Sequence, residues 1–157
     1  MLDARDVARR SNDAFNAKDW TGLAQLLSDH VEYVTPGNTV YRGVDGVRDF
    51  AANWWAAAFP DVRASVHRMT AEGSTVVQEG TFTGTHQGVF RTPTGTIPPM
   101  GRRLRGGYVA VLTVEQGRLA RQHLVFDRLE LLEQLGLVPP APAAVAQPRV
   151  ARQGTAS

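Results

Sequence analysis

The spacing of apolar residues changes from a helical period to a strand period along the chain. Three segments have apolar residues at three- and four-residue intervals: 3–17, 20–27 and 44–58. Such intervals predict amphipathic helices. A strand of period two begins at Val31, and four more strands follow the third helix: 62–69, 75–85, 104–114 and 118–126. Most of the predicted strands therefore come after the helices.

This order of elements predicts an α+β fold in which helices cover one face of a curved antiparallel sheet. Segment 104–114 is apolar on both faces, which is typical of a central strand. Residues 115–117 (Glu-Gln-Gly) predict a tight hairpin turn. A curved sheet under helices encloses a pocket, so we expect a cavity between the layers. Residues 139–157 are rich in proline and alanine and predict a disordered tail, which leaves 1–138 as the domain.

The composition excludes several kinds of chemistry. The 157 residues include no cysteine, so disulfides, thiolate nucleophiles and thiolate metal sites cannot form. The four histidines have no close pair, and we expect no metal site. The charged N-terminus lacks the apolar core of a signal peptide, and no apolar run approaches 18 residues. We therefore expect a cytoplasmic protein that does not span a membrane.

Charge is distributed without a basic stripe. The chain has 17 Lys and Arg residues against 15 Asp and Glu residues, and Arg149 and Arg152 belong to the predicted tail. The remainder is neutral, which argues against binding to nucleic acid. Arg102, Arg103 and Arg105 form one local cluster. It is either a solvated hairpin end or a docking point for an acidic or polyphenolic ligand.

Segment 119–137 predicts a strand that runs into a short helix, with a single carboxylate, Asp127, at the junction. Apolar residues surround it: Leu119, Leu124, Val125, Phe126, Leu129, Leu131, Leu132 and Leu135. Aspartate is a favoured N-cap residue. A carboxyl group inside an apolar cavity is also suited to general acid/base catalysis. The residues alone leave both interpretations open.

Three motifs, in this order and spacing, resemble one known family. They are Ala58-Phe59-Pro60-Asp61; Gly84-Thr85-His86-Gln87-Gly88 with Pro93-Thr94-Gly95; and Gly117-Arg118-Leu119 leading to Asp127 and Gln134-Leu135-Gly136-Leu137. Together they resemble the SnoaL-like polyketide cyclases, which have the cone-shaped fold of nuclear transport factor 2. The resemblance extends over residues 3–138.

This resemblance implies a helix-covered cone with an apolar cavity, no metal or organic cofactor, and a homodimer formed through the sheets. It implies ring closure by intramolecular aldol condensation of an aromatic polyketide intermediate. The acid/base of the family is an aspartate just before the last helix, here Asp127, and its histidine near the pocket is here His86. One departure is on the last strand, where many relatives have Glu and Trp and this chain has Arg121, Gln122 and His123.

The histidines are candidates to assist Asp127. On a regular strand His123 and Asp127 share a face, so both could point into one cavity. His86, on a neighbouring strand, could reach and orient Asp127. Each histidine has the alternative of a structural position in the sheet. The predicted reaction itself needs one base for a proton between two carbonyls and a pocket that holds the enolate near its electrophile.

Some of the aromatic residues that pack the core must also line the cavity of such a fold. The candidate ligand contacts are Tyr33, Trp54, Phe50, Phe59, Tyr108 and Met100. An aromatic lining suits a flat, hydrophobic small molecule. Met100 belongs to segment 93–101, which is either a mobile lip over the opening or an ordinary hairpin connection.

Two other functions compete with ring closure. One is a non-catalytic module that binds a small ligand or another protein, which the changed last strand favours. The other is a different reaction in the same pocket, such as isomerisation, epoxide opening or cofactor-free hydroxylation. That reaction would need a second polar group beside Asp127, for which His86 and His123 are candidates.

Overall fold

The fold consists of a six-stranded sheet and the helices that cover one of its faces. The structure, a computed structural model, describes residues 1–92 and 94–139. It has the α+β architecture that the order of elements predicts. Residues 140–157, nearly all of the predicted tail, lie outside the described residues.

Two helices begin the chain, α1 (Ala4–Ala17) and α2 (Trp20–Gln25). An aspartate caps each of them. The side chains of Asp3 and Asp19 each accept a hydrogen bond, at 2.8 Å, from the backbone amide three residues further on.

The third helix is not a regular α-helix over 44–58, as its pattern predicts. α3 (Gly43–Asp49) continues directly into a π-helix (Phe50–Ala56). Backbone bonds in a π-helix span five residues instead of four, as in the bond from the amide of Ala57 to the carbonyl of Ala52. The wider turn holds an additional residue, so the side chains that follow it face a different direction.

Within the described residues the strands and the last helix have these bounds: β1 Leu27–Thr35, β2 Thr39–Arg42, β3 Arg63–Glu72, β4 Thr75–Thr85, β5 Phe90–Thr92, β6 Gly95–Ile97, β7 Arg103–Glu115, β8 Arg118–Phe126 and α4 Arg128–Gln134. β5 and β6 form a separate two-stranded hairpin, and β6 lies in segment 93–101, which was predicted to be a loop. The other six strands form the main sheet in the order β2-β1-β8-β7-β4-β3.

The main sheet is mixed. Strand β7 lies between β8 and β4, and its predicted central position is confirmed. The prediction of an entirely antiparallel sheet is wrong for one pair, because β1 and β8 are parallel. A tight turn forces two strands to be antiparallel, but the chain between β1 and β8 contains most of the molecule and imposes no such constraint.

The predicted turn between β7 and β8 is a two-residue loop. Gln116 and Gly117 both have positive φ angles, 50° and 72°. Two positive angles define the hairpin turn whose twist matches that of the flanking strands.

Side chains on β4, β7 and β8 alternate between an inner face, which the helices cover, and an outer face. On the inner face Val76 and Leu112 are 0% and 1% exposed, whereas on the outer face Val77 and Val109 are each 39% exposed. The core of the fold, and the cavity within it, therefore lie on the inner face.

Candidate functional site

A cavity of about 120 Å³ lies between the helices and the inner face of the sheet. Aromatic and aliphatic side chains form most of its wall. The polar residues in the wall are Ser11, Asn12, Tyr33, Gln78, Tyr108 and Gln122. None of the described residues that line the cavity has a charged side chain. The site is therefore an apolar chamber with a few neutral hydrogen-bonding groups.

Four of these polar groups lie on strands, and strand pairing places them in successive rows across the inner face. In one row Tyr33 of β1 is opposite Gln122 of β8. In the next row Gln78 of β4 is opposite Ala110 of β7, and Tyr108 of β7 belongs to the row after that. Residues two apart on a strand share a face, so all four polar groups point toward the same chamber.

Tyr108 occupies space that a glycine leaves open on the neighbouring strand. A Cβ atom at Gly80 would lie 2.7 Å from the Tyr108 hydroxyl oxygen and 2.5 Å from the carbonyl oxygen of Ser65. Gly106 makes room in the same way for the ring of Phe82, which would lie 2.7 Å from an added Cβ. Glycine at these two positions lets the aromatic rings approach the backbone closely.

The tryptophan that lines the cavity is Trp55, not the predicted Trp54. The ring of Trp55 lies within 6.4 Å, between centroids, of five phenylalanine rings: Phe50, Phe59, Phe82, Phe90 and Phe126. Trp54 instead packs against Tyr41, and its indole Nε1 donates to Asp49 at 3.3 Å. The additional residue in the π-helical turn causes this exchange, because regular α-helical spacing places Trp54 on the buried side.

The other predicted ligand contacts divide into two groups. Tyr33, Phe50 and Tyr108 line the cavity as predicted. Phe59 is fully buried next to Trp55 but does not line the cavity, and Met100 is 42% exposed after the β5–β6 hairpin. Burial raises the pKa of Tyr33 and the pKa of Tyr108, so both phenols are neutral hydrogen-bond donors near neutral pH.

Asp127 is the N-cap of α4. Its Oδ1 accepts hydrogen bonds from the backbone amides of Leu129, at 3.0 Å, and Glu130, at 3.1 Å. The residue is exposed and does not line the cavity, although Phe126, directly before it, does. The structure thus shows the capping role. Both capping bonds go to Oδ1, and Oδ2 is used by neither.

His86 is fully buried and also lies outside the cavity wall. Its ring packs against Phe59 and Phe90, with centroids 5.4 Å and 6.3 Å away. Neither ring nitrogen has a hydrogen-bond partner among the described residues, so His86 does not bond to Asp127 as predicted. Burial lowers the pKa of His86. The imidazole is therefore held in its neutral form.

The residue next to His86 connects two of the sequence motifs. Thr85 donates to Asp61 twice, from its backbone amide at 2.6 Å and from its hydroxyl at 2.8 Å. Burial opposes the charge on Asp61, but these two bonds, together with the backbone of Asp61 and the charge of Arg103, outweigh it and lower the pKa of that carboxyl. The Phe-Pro-Asp and Gly-Thr-His segments are thus joined by structural hydrogen bonds.

His123 lies on the outer face. Gln122, Leu124 and Phe126 of β8 line the cavity, and the alternation of side chains along a strand places His123 opposite to them. The prediction that His123 points into the cavity is corrected accordingly. Asp127 lies beyond the end of β8, so a face counted from Asp127 is not the cavity face of the strand.

Most of the lining residues were not predicted from the sequence, among them Ser11, Trp55, Gln78 and Gln122. The two glutamines have a signal that could have identified them. Gln78 is in phase with the apolar Val76 and Phe82, and Gln122 with Leu124. A polar side chain in an otherwise apolar strand face indicates a polar contact inside the fold. Ser11 and Trp55 have no comparable signal.

The arginine cluster of the sequence lies at the surface, outside the cavity wall. Arg102, Arg103 and Arg105 are exposed, and both backbone groups of Arg105 bond to the side chain of Gln134 in α4. In the part of the chain that the structure describes, no three His, Asp or Glu side chains are placed to hold a metal ion. No helix in residues 1–92 and 94–139 is long and apolar enough to cross a membrane.

Known proteins share both the sequence pattern and the fold. The family model described as SnoaL-like polyketide cyclase matches residues 5–135. The structure of TsrD from Streptomyces laurentii is similar at 27% identity, covering 88% of this chain and 100% of that one, with a TM-score of 0.73. A SnoaL-like polyketide cyclase from Agrobacterium tumefaciens matches at 24% identity, 87% and 100% coverage, and a TM-score of 0.69.

A more distant structure extends the likeness of fold. An NTF2-like protein of unknown function from Cytophaga hutchinsonii matches at 15% identity over 84% of this chain and 96% of that one, with a TM-score of 0.63. At this identity the likeness shows the fold alone, and it confirms the predicted NTF2-like architecture. No curated protein sequence matches this chain.

Proposed function

We propose, since this chain belongs to the SnoaL-like polyketide cyclase family, that it closes a ring in a polyketide-type intermediate by intramolecular aldol condensation. The observation that carries the proposal is the cavity, an aromatic chamber with neutral hydrogen-bond donors and no charged residue in its described wall. Such a chamber suits a flat, uncharged polyketone. It would hold two parts of one molecule in contact while excluding water, and such positioning can contribute several powers of ten in rate.

The chemistry needs one proton carrier. A base removes the proton from a carbon between two carbonyls, the enolate carbon bonds to the electrophilic carbonyl carbon, and the resulting alkoxide takes a proton back. We assign the proton carrier to Asp127, through the Oδ2 atom that its capping bonds leave free. Its place directly after Phe126, a residue of the cavity wall, supports this assignment. The hydroxyls of Tyr33 and Tyr108 would stabilise negative charge on the reacting oxygens.

Asp127→Asn tests the assignment, because asparagine caps a helix about as well as aspartate but cannot act as a base. We expect this variant to melt at the wild-type temperature and to lose about 10²- to 10⁴-fold in the rate of ring closure. The substrate is an aromatic β-diketone that carries a neighbouring ketone. Because the aldol product is an isomer of the substrate and has the same mass, product is followed by liquid chromatography coupled to mass spectrometry.

The matched control is Asp127→Ala, which removes both functions. It should cyclise as slowly as the asparagine variant and also lose about 1 kcal/mol of stability. Ring closure at the wild-type rate by Asp127→Asn would limit Asp127 to its capping role.

A non-catalytic ligand-binding module is the second candidate function. The observation that favours it is that Asp127 is exposed and bonded to the start of α4, while no charged group lines the described cavity. This function predicts that the β-diketone binds and is recovered unchanged. The same chromatographic assay, applied to the wild-type protein, therefore separates the two candidates.

We also propose that the protein forms a homodimer through the outer face. Two rows of valines meet there across the strands, Val109 opposite Val125 and Val111 opposite Val77. Three of them are at least 39% exposed, which is a large apolar area to leave in water. Sedimentation at micromolar concentration should give twice the monomer mass of 17.1 kDa, and a monomer would contradict the proposal.

A further inference from the structure

Two polar atoms in the cavity wall have no partner. Ser11 of α1 and Gln78 of β4 are 6% and 4% exposed. Neither Ser11 Oγ nor Gln78 Nε2 makes a hydrogen bond within the described residues, and both residues line the cavity. Buried polar atoms in proteins are nearly always paired. Two exceptions on the walls of one chamber therefore indicate groups that a ligand would satisfy.

Two other polar side chains on α1, those of Asn12 and Asn16, are paired with the backbone of β3. Asn16 both donates to and accepts from the backbone of Ala64 at 2.8 Å, and Asn12 Nδ2 donates to the same carbonyl oxygen at 3.3 Å. Asn12 also lines the cavity but is satisfied by β3, whereas Ser11, one residue before it, has no such partner. Because its neighbours on α1 are bonded to β3, loose packing of the helix does not explain the missing partner of Ser11.

The chemistry of the two atoms defines the ligand group that would complement them. An amide Nε2 can only donate a hydrogen bond, whereas a serine hydroxyl can donate or accept. None of the described lining residues is charged, so an anionic ligand group would be buried there without a counter-charge, at a large cost. The complementary group is therefore an uncharged oxygen that accepts hydrogen bonds.

We propose that Gln78 and Ser11 form a polar subsite that binds an uncharged carbonyl oxygen of the ligand. The subsite lies on two opposite walls, because Gln78 belongs to the sheet and Ser11 to the helix that covers it. The inference rests on the proposed function for the natural ligand, which would carry a ketone at this point. Recognition of the carbonyl requires no turnover, so it can be tested separately.

The test compares 1-tetralone with tetralin, which share a bicyclic skeleton and differ by one carbonyl group. Dissociation constants are measured by quenching of tryptophan fluorescence, since Trp55 lines the cavity, or by calorimetry. The variants are Gln78→Met and Ser11→Ala, and the matched control is Gln25→Met at an exposed position of α2. All four proteins are compared in the ratio of the two affinities.

We expect Gln78→Met to reduce the preference for 1-tetralone over tetralin by about tenfold and Ser11→Ala by about threefold, the range of a single lost hydrogen bond. The affinity for tetralin should not fall in either variant, and Gln25→Met should leave both affinities unchanged. Gln78→Met should also melt at the same or a higher temperature without ligand, because it removes an unpaired buried amide. An amide with a purely structural role would instead lower the melting temperature.

The subsite is overturned if the wild type does not bind 1-tetralone, if neither variant changes the affinity ratio, or if both affinities fall in equal proportion. The outcome is independent of the cyclase proposal. A protein that prefers 1-tetralone through Gln78 but closes no ring keeps the subsite and refutes the cyclase function. A protein that closes the ring, but whose preference for 1-tetralone does not depend on Gln78, keeps the cyclase function and refutes the subsite.

Discussion

The two faces of β7 and β8 belong to the same strands and have opposite characters. The inner face presents Tyr108, Gln122 and Leu124 to the cavity. The outer face presents Val109 and Val125, which are 39% and 49% exposed. The covered face thus contains polar groups, and the uncovered face contains a strip of apolar ones.

Each face departs from what a stable, unliganded monomer would require. Apolar residues in place of the unpaired polar atoms would stabilise the interior, and polar residues in place of the exposed valines would improve solubility. The departures are explained if a ligand occupies the cavity and a second copy of the chain covers the outer face. The following changes test the difference between the faces, beginning with the largest expected effect.

Trp55→Ala should have the largest effect, because the indole contacts five phenylalanine rings on the covered side of the sheet. We expect a loss of about 3–5 kcal/mol in unfolding free energy, measured by urea denaturation, and loss of ligand binding. The control is Trp54→Ala, which removes one aromatic contact and one hydrogen bond and should cost about 1–2 kcal/mol. Equal losses in the two variants would contradict the assignment of Trp55 to the cavity.

Gly80→Ala should have an intermediate effect. The added methyl group would collide with the Tyr108 hydroxyl and with the backbone oxygen of Ser65, so we expect a loss of about 1–3 kcal/mol. Gly107→Ala is the matched change on the outer face, where the nearest atom to a new Cβ is 4.0 Å away. Its stability should stay within about 0.5 kcal/mol of wild type. If Gly107→Ala were the more harmful change, the packing described for the inner face would be incorrect.

The smallest expected effect is the change in stability with pH. It distinguishes the buried His86 from His123 on the outer face. Burial lowers the pKa of His86 below its ordinary value of 6.5, so the unfolded chain takes up this proton first as the pH falls. His86 therefore leaves stability unchanged above pH 6.5 and reduces it below that pH.

Thermal melts between pH 7.5 and 5 check this expectation. His86→Leu should reduce the decline in melting temperature between those pH values. His123→Leu, on the outer face, is the control and should retain it. A decline of the same size in the wild type and in His86→Leu would show that other groups cause it. The loss attributable to Asp61 should appear at lower pH, because its hydrogen bonds from Thr85 lower the pKa of that carboxyl.

The sequence predicted those features that depend on local periodicity. Short-range alternation and turn chemistry predict the start of α1 at its cap Asp3 and the start of α2 at Trp20. They also predict the bounds of β4 and β8 and the central position of β7. The family motifs also predicted the NTF2-like fold. The parallel pairing of β1 with β8 could not be predicted in this way, because it depends on where a long connection returns the chain.

The candidate site was predicted less completely. Tyr33, Phe50 and Tyr108 were identified correctly as lining residues, since aromatic residues in phase with a buried face have few other positions. Gln78 and Gln122 were not identified, although their phase within the strands marks them as inward-facing. The sequence pattern gives no signal for Ser11, because a serine on a weakly apolar helix face can contact a backbone group, solvent or a cavity.

The amino-acid sequence by itself determined most of the helices and strands, their order and the family, because periodicity and capping act over a few residues. Only the tertiary structure decided which side chains meet in the cavity. A single additional residue in the π-helical turn exchanged Trp54 for Trp55, and the alternation of β8 directed His123 to the outer face and Gln122 to the inner one. These outcomes depend on how one element is rotated against another, and that rotation is set by packing across the whole core.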